Sequence, residues 1–229
     1  MKAYVIALFN DQYSITCARR TVDTARHFNR DLHIEMVKAT TPGETINWEY
    51  TYPLQGEKKE DHGLHLVGYR SDNHRKIMAC AISHLKLWDL CVEKNEPIII
   101  LEHDAVFTRK FKLSRISNHI EDGDICMIND PRGATRRGQM YHQNIIKWDY
   151  GMHVVDGVNM PDEKNPDGLA GNSAYVITPA AAKKAADLQE KIGLWPNDAL
   201  LCKQFFPRKL KSYYPYITRV EQKRSTTTS

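Results

Sequence analysis

Short apolar runs alternate with amphipathic stretches along the chain, the pattern of strands interleaved with helices. Tyr4 to Phe9 reads as a first, buried strand. Ser14 to Phe28 predicts a helix, with Ser14 as its N-cap and apolar positions at Ile15, Val22 and Ala25. His33 to Val37 reads as the second strand. The stretch from Thr40 to His74 is polar, weakly periodic and rich in Gly, Pro and aromatics, so a long excursion or lid is expected. A long helix should follow, capped by Asp72 and running to about Glu93. Its apolar positions Ile77, Ala81, Leu85, Trp88 and Val92 recur at helical spacing. Asn95-Glu96-Pro97 ends it. Ile98 to Leu101 is wholly apolar, as in a central parallel strand covered on both faces. Ile125 to Ile128 is the next such strand, and residues 129 to 170 are irregular and glycine-bearing. Ser173 to Thr178 is a further strand, and Pro179 to Lys191 an Ala-rich helix with proline in its first turn.

At 229 residues the chain suits a single domain over 1–229, with a basic, aromatic C-terminal stretch from about 203 to 229. No run approaches the roughly 18 to 20 apolar residues that cross a bilayer. The apolar N-terminus runs into Asn10-Asp11-Gln12 without a small-residue cleavage site, so it reads as a strand and not a signal peptide. The five cysteines, Cys17, Cys80, Cys91, Cys126 and Cys202, are scattered and form no CxxC pair. That spacing predicts neither a disulfide framework nor a zinc site, and a reducing, cytoplasmic compartment is expected. A net charge of +4 does not by itself indicate nucleic acid. No Gly-x-Gly-x-x-Gly follows the first strand, which argues against a dinucleotide oxidoreductase. A Walker lysine and a Gly-x-Ser-x-Gly elbow are also lacking.

The sharpest chemical signal is Glu102-His103-Asp104 directly after the apolar strand. Such a junction places carboxylates at the carboxyl end of a parallel sheet, where open α/β sheets bind ligands. Two residues apart on an extended segment, Glu102 and Asp104 are expected to point the same way. Their oxygens suit a hard cation, Mn²⁺ or Mg²⁺, that shares its other positions with a diphosphate. An acidic turn capping the next helix is the plainer alternative. His103 is placed to add a nitrogen, contact the nucleotide or face away.

Ile82-Ser83-His84-Leu85-Lys86-Leu87-Trp88, followed by Ile99-Ile100-Leu101-Glu102-His103-Asp104-Ala105, resembles glycosyltransferase family 25, the lipooligosaccharide and collagen galactosyltransferases. Gly171-Asn172-Ser173-Ala174-Tyr175-Val176-Ile177-Thr178-Pro179 is similar to that family's small-residue strand and following Ala-rich helix. Pro196-Asn197-Asp198 resembles its later Asp-bearing helix start. The matched pieces fall in order over roughly residues 4 to 205. Two departures stand out. His103 replaces the family's middle acid, and Asn10-Asp11-Gln12-Tyr13 stands where an arginine-rich turn is usual. The resemblance implies a Rossmann-like nucleotide-diphospho-sugar transferase of the GT-A type, α/β with a central, mostly parallel sheet. It also implies a nucleotide-sugar donor, UDP-sugar first, and an inverting transfer.

On this reading Glu102 and Asp104 hold the metal, which offsets charge growing on the diphosphate leaving group. Asp198 is the candidate base for the acceptor hydroxyl, beside Trp195-Pro196 as an acceptor wall; a plain N-cap is the equal alternative. Asp156 and Asp167 are lesser candidates. His84 and Ser83 are candidate donor-pocket residues, set against a buried structural histidine and a serine bonded back to its own helix. Arg75, with Arg70 and Lys76, flanks a helix start that favours phosphate, against a reading as solvated charge.

Positive charge collects at Arg132, Arg136 and Arg137, and again at Lys203, Arg208, Lys209, Lys211, Arg219, Lys223 and Arg224 among Phe205, Phe206, Tyr213, Tyr214 and Tyr216. Such a surface suits an acidic acceptor, including hydroxymethylated DNA whose base leaves the stack, as well as an acceptor glycan. A solvated face over core aromatics weighs equally. The rival class is a binding module for nucleic acid or a partner on a degenerate transferase fold. A metal-dependent hydrolase is a weaker third reading.

Overall fold

The computed structural model describes residues 1–47, 58–61, 64–67, 73–133, 138–155, 166, 168 and 172–221. In chain order the strands and helices are β1 (Ala3–Ala7), α1 (Gln12–Phe28), β2 (Ile34–Lys38), β3 (Lys58–Asp61), β4 (Leu64–Val67), α2 (His74–Lys94), β5 (Ile98–Glu102) and β6 (Ala105–Phe107). The second half comprises α3 (Ser114–Ser117), β7 (Ile125–Met127), α4 (Gly138–Ile145), β8 (Gly151–Val154), β9 (Ala174–Ile177), α5 (Pro179–Ile192), α6 (Asn197–Leu200), β10 (Leu210–Tyr214) and β11 (Thr218–Val220).

A seven-stranded sheet in the order β2-β1-β5-β9-β7-β10-β8 forms the frame. β2, β1 and β5 pair parallel, as do β7 and β10, whereas β9 runs antiparallel between β5 and β7 and β8 antiparallel at the edge. Five of the seven strands therefore point one way, the mostly parallel α/β frame expected. The apolar run of β5 divides by the alternation of a strand. Ile98 and Ile100 enter a core with Trp88, Leu85 and Ala182 from α2 and α5, and Ile99 and Leu101 enter a second core with Ala18, Val22 and Ala25 of α1. Burying each such side chain stabilises the fold by roughly 1.5–3 kcal/mol, so both faces of β5 need cover.

Boundaries moved where capping chemistry decided them. α1 starts two residues earlier than expected because the Asp11 carboxylate accepts from the backbone N–H of Tyr13 and Ser14. Ser14 lies inside the helix, and its Oγ accepts instead from Leu8 N–H. α2 is preceded by Asn73 without a side-chain cap bond, and Asp72 lies outside the described residues. The expected excursion after Thr40 contains a short 3₁₀ turn (Glu44–Asn47) and the β3–β4 hairpin. Among the described residues no helix is long and apolar enough to cross a membrane. All five cysteines are free.

Candidate functional site

Side chains gather at the carboxyl end of β5. Glu102 is the last strand residue and stands on the same face as Ile98 and Ile100, toward α2. α2 runs back along the sheet, so its first half lies over this edge. There Cys80 and His84, one helical turn apart, face Glu102, and one ligand atom from each of the three lies within 4.8 Å of the others. His84 is 1% exposed, and its Nε2 sits 3.6 Å from Glu102 Oε1, too far for a hydrogen bond. The Ser173 hydroxyl, just before β9, donates to Glu102 Oε2 at 3.2 Å. Burial alone would raise the Glu102 carboxyl, but His84, His103 and the Ser173 hydroxyl hold it below its usual range. The Cys80 thiol is pushed up by burial and by the charges of Glu102 and Asp198, which puts Asp198 within electrostatic reach of this cluster.

The other ring nitrogen of His84 is set from beneath. Trp88 Nε1 donates to the Tyr175 hydroxyl at 2.9 Å, and that hydroxyl lies 2.8 Å from His84 Nδ1. Among the described residues, the hydroxyl hydrogen finds its acceptor at His84 Nδ1. A hydroxyl hydrogen donated to Nδ1 leaves the ring's own proton on Nε2, on the side of Glu102.

The chain turns at His103 and Asp104 before β6, so the extended geometry that would align Glu102 with Asp104 is not kept. His103 lies toward α1: its carbonyl accepts from the Thr21 hydroxyl at 2.7 Å, and its ring packs edge-on to Tyr13 at 6.4 Å. Burial lowers its pKa, against the raising charges of Glu102 and Asp11. Asp104 is 3% exposed, and its Oδ1 meets no hydrogen-bond donor among the described residues. Burial, and then the charge of Glu102, push its carboxyl up from 3.8 to about 7. A buried carboxyl oxygen without a donor, beside a second carboxylate, fits a hard divalent cation.

The remaining expected residues scatter. Ser83 Oγ donates to Ala79 O at 2.7 Å and accepts from Thr40 N–H at 2.9 Å, so it ties the segment after β2 to α2. Arg75 is exposed in the first turn of α2, about 8 Å along the axis from Cys80. Asp198 is exposed in the first turn of α6. Trp195, expected as an acceptor wall, is instead core: its Nε1 donates to Ile192 O, and Gln189 bonds its backbone at both N–H and C=O. Arg70, Asp156, Asp167, Arg136, Arg137, Lys223 and Arg224 lie outside the described residues.

The basic, aromatic C-terminal surface is largely dismantled by folding. Phe205, Phe206, Tyr213 and Tyr216 are buried, Lys209 and Lys211 pair with the buried Asp124, and Arg219 pairs with Glu221. Arg132 is held in a fork by Asp130. A different aromatic group forms at the carboxyl end of β10. Tyr150, 77% exposed, stands edge-on to Tyr214 at 6.0 Å, Tyr214 is edge-on to Tyr216 at 5.5 Å, and the Tyr216 hydroxyl lies 3.1 Å from His142 Nδ1. β10 lies three strand positions from β5, about 14 Å along the same edge.

Sequence reasoning missed Cys80, Asn172, Ser173 and Tyr175 as parts of the site. Asn172 is buried just before β9, and neither side-chain atom meets a partner among the described residues. Asn172, Ser173 and Tyr175 lie in the segment whose resemblance to the family was noted without a site role, and the signal for Cys80 was its i, i+4 spacing from His84.

The profile of glycosyltransferase family 25 (LPS biosynthesis protein) matches residues 1–201. No curated protein sequence matches the chain. Similar solved structures include a glycosyltransferase involved in glycosylation of the major capsid of PBCV-1, at 7% identity and a TM-score of 0.45, covering 98% of this chain and 95% of that one. Galactosyltransferase LgtC, in complex with donor and acceptor sugar analogs, is 10% identical with a TM-score of 0.44, over 93% of this chain and 73% of that one. Mouse xyloside xylosyltransferase 1 is 11% identical with a TM-score of 0.45, over 91% and 83%. Likeness of this order gives no residue-by-residue correspondence.

Proposed function

The chain belongs to glycosyltransferase family 25, and from that premise we propose that it transfers a sugar from a nucleoside-diphosphate donor, UDP-sugar first, to a hydroxyl of an acceptor glycan. The observation that carries this reading is the turn that follows β5, where the Oδ1 of the buried Asp104, two residues after Glu102 and within reach of its charge, meets no hydrogen-bond donor among the described residues. These two residues would hold Mn²⁺ or Mg²⁺, and such an ion would offset charge on the departing diphosphate. Asn172, just before β9 and with donor and acceptor atoms that meet no partner among the described residues, is suited to the donor's sugar or phosphate oxygens. His84, its Nε2 3.6 Å from Glu102 Oε1, favours the charged form of that carboxylate. His103 and Arg75 complete the donor side, with Arg75 at the helix start that favours phosphate.

Asp198 is our candidate base. It is exposed, and its charge reaches the same cluster. A single domain over 1–229 carries all of these groups, and a reducing compartment suits its five free thiols.

A glycan is preferred to DNA as acceptor because of where the aromatics went. Bases need ring faces to stack on, and most of the C-terminal rings are core. Tyr150 and Tyr214, exposed and half-buried on the sheet's carboxyl edge, offer instead an apolar ledge with hydroxyls at its rim, which suits a sugar.

The test is donor hydrolysis and binding across UDP-, GDP-, ADP- and CMP-sugars with Mn²⁺, with and without acceptor glycans and hydroxymethylated DNA. One metal-dependent donor, lost in a folded Asp104→Ala variant, is the expected result. A blank panel, or nucleotide affinity unchanged in Asp104→Ala, overturns it.

A further inference from the structure

We propose that Cys80, His84 and Glu102 form a binding site for a thiophilic divalent cation, Zn²⁺ first, which shares Glu102 with the hard-cation pair of Glu102 and Asp104 and differs from it in the ligands on α2. Cysteine spacing along the chain showed no such site. The fold makes it by laying two ligands, one helical turn apart on α2, against the end of β5.

Three observations carry the assignment. The first is distance. His84 Nε2 and Glu102 Oε1 are 3.6 Å apart, too long for a hydrogen bond, yet close to the edge of a ligand tetrahedron, which is about 3.4 Å for bonds of about 2.1 Å. The second is an unspent atom. His84 is 1% exposed, and its Nε2 has no hydrogen-bond partner among the described residues. The third is the support behind the ring. A ligating histidine passes its other ring proton to an oxygen behind it, and the Tyr175 hydroxyl stands 2.8 Å from Nδ1.

Binding moves protons in a defined way. The Cys80 thiol loses its proton to solvent and becomes the thiolate ligand. The imidazole proton shifts from Nε2 to Nδ1 and is donated to the Tyr175 oxygen, freeing the Nε2 lone pair. Glu102, 32% exposed, gives the ion its way in from solvent, and water fills the fourth position. The thiolate selects Zn²⁺ or Co²⁺ over Mn²⁺ and Mg²⁺, which prefer all-oxygen sites.

Cobalt reports the site without any need for turnover, so the result stands apart from the transferase reading. Metal-free, reduced protein titrated with Co²⁺ should develop sulfur-to-cobalt charge-transfer absorption and tetrahedral visible bands at one equivalent, and Zn²⁺ should erase them. Cys80→Ser should lose the charge-transfer band, and Cys17→Ser should retain it. Glu102→Gln, altered on the solvent side of the cluster, should bind at least about tenfold more weakly. An absent band in the folded wild type overturns the site. So does a band that persists in Cys80→Ser, or an affinity untouched in Glu102→Gln.

Discussion

The Tyr175 hydroxyl lies 2.8 Å from His84 Nδ1 and so joins a strand of the central sheet to the helix above the candidate site. It also accepts from Trp88 Nε1, and all three side chains are buried. Tyr175→Phe leaves two buried polar groups without partners while conserving the ring. Each orphan costs about 1–3 kcal/mol, so we expect a loss of about 2–6 kcal/mol. It should be read as a lower urea midpoint at unchanged slope. A loss below about 0.5 kcal/mol would mean that the hydroxyl is not needed.

Asp104 sets a pH dependence with a definite sign. Its folded carboxyl sits at about 7 against 3.8 when exposed, so between those values the folded protein holds a proton that the unfolded chain has lost. Stability from this group is full below about pH 4 and is lost as pH rises through about 7. In the absence of metal, Asp104→Asn should be the more stable protein at pH 8, by a margin on the order of a few kcal/mol. Thermal unfolding from pH 4 to 8 checks this, and equal pH slopes in the two proteins would refute it. Mn²⁺ affinity of the wild type should rise over the same range, because the ion takes the ionised carboxylate.

Asp198→Asn tests the base. The side chain is exposed, so the fold should be unaffected. Removing a general base typically costs 10²- to 10⁴-fold, so kcat should fall by about that factor with nucleotide affinity unchanged. A variant of ordinary rate would return Asp198 to a helix-capping role.

Tyr150→Ala tests the acceptor ledge. At 77% exposure the ring contributes little to stability, and the change should stay within about 0.5 kcal/mol. Acceptor KM should rise several-fold while donor hydrolysis without acceptor stays unchanged. An unaltered acceptor KM would move the acceptor elsewhere on the sheet's edge.

Much of the frame was legible beforehand because it rests on local patterns. The wholly apolar Ile98–Leu101 and the helical period of Ile77, Ala81, Leu85 and Trp88 each state that two faces, or one stripe, must be covered. The acidic residues after β5 marked the ligand edge for the same reason: a buried strand that ends abruptly in carboxylates has reached solvent. The start of α1 was misplaced because two capping residues, Asp11 and Ser14, compete, and the backbone geometry decides between them. The C-terminal aromatics were ambiguous because a ring beside a lysine reads the same on a surface as beneath one. Asp124 decided it, a buried carboxylate toward which Lys209 and Lys211 fold.

The sequence by itself determined an α/β fold, its central strand, the carboxylates at that strand's end and the family those motifs resemble. The fold and its strand end follow from periodicity within short windows, and the family from motifs that resemble its own in order along the chain. Only the tertiary structure decided that β9 runs antiparallel between β5 and β7. It alone turned Glu102 toward α2 and His103 toward α1, brought Cys80 and Ser173 to the Glu102 carboxylate, and set Tyr175 behind His84. Those outcomes depend on which distant surfaces bury one another, and burial is a property of pairs that no single stretch of chain contains.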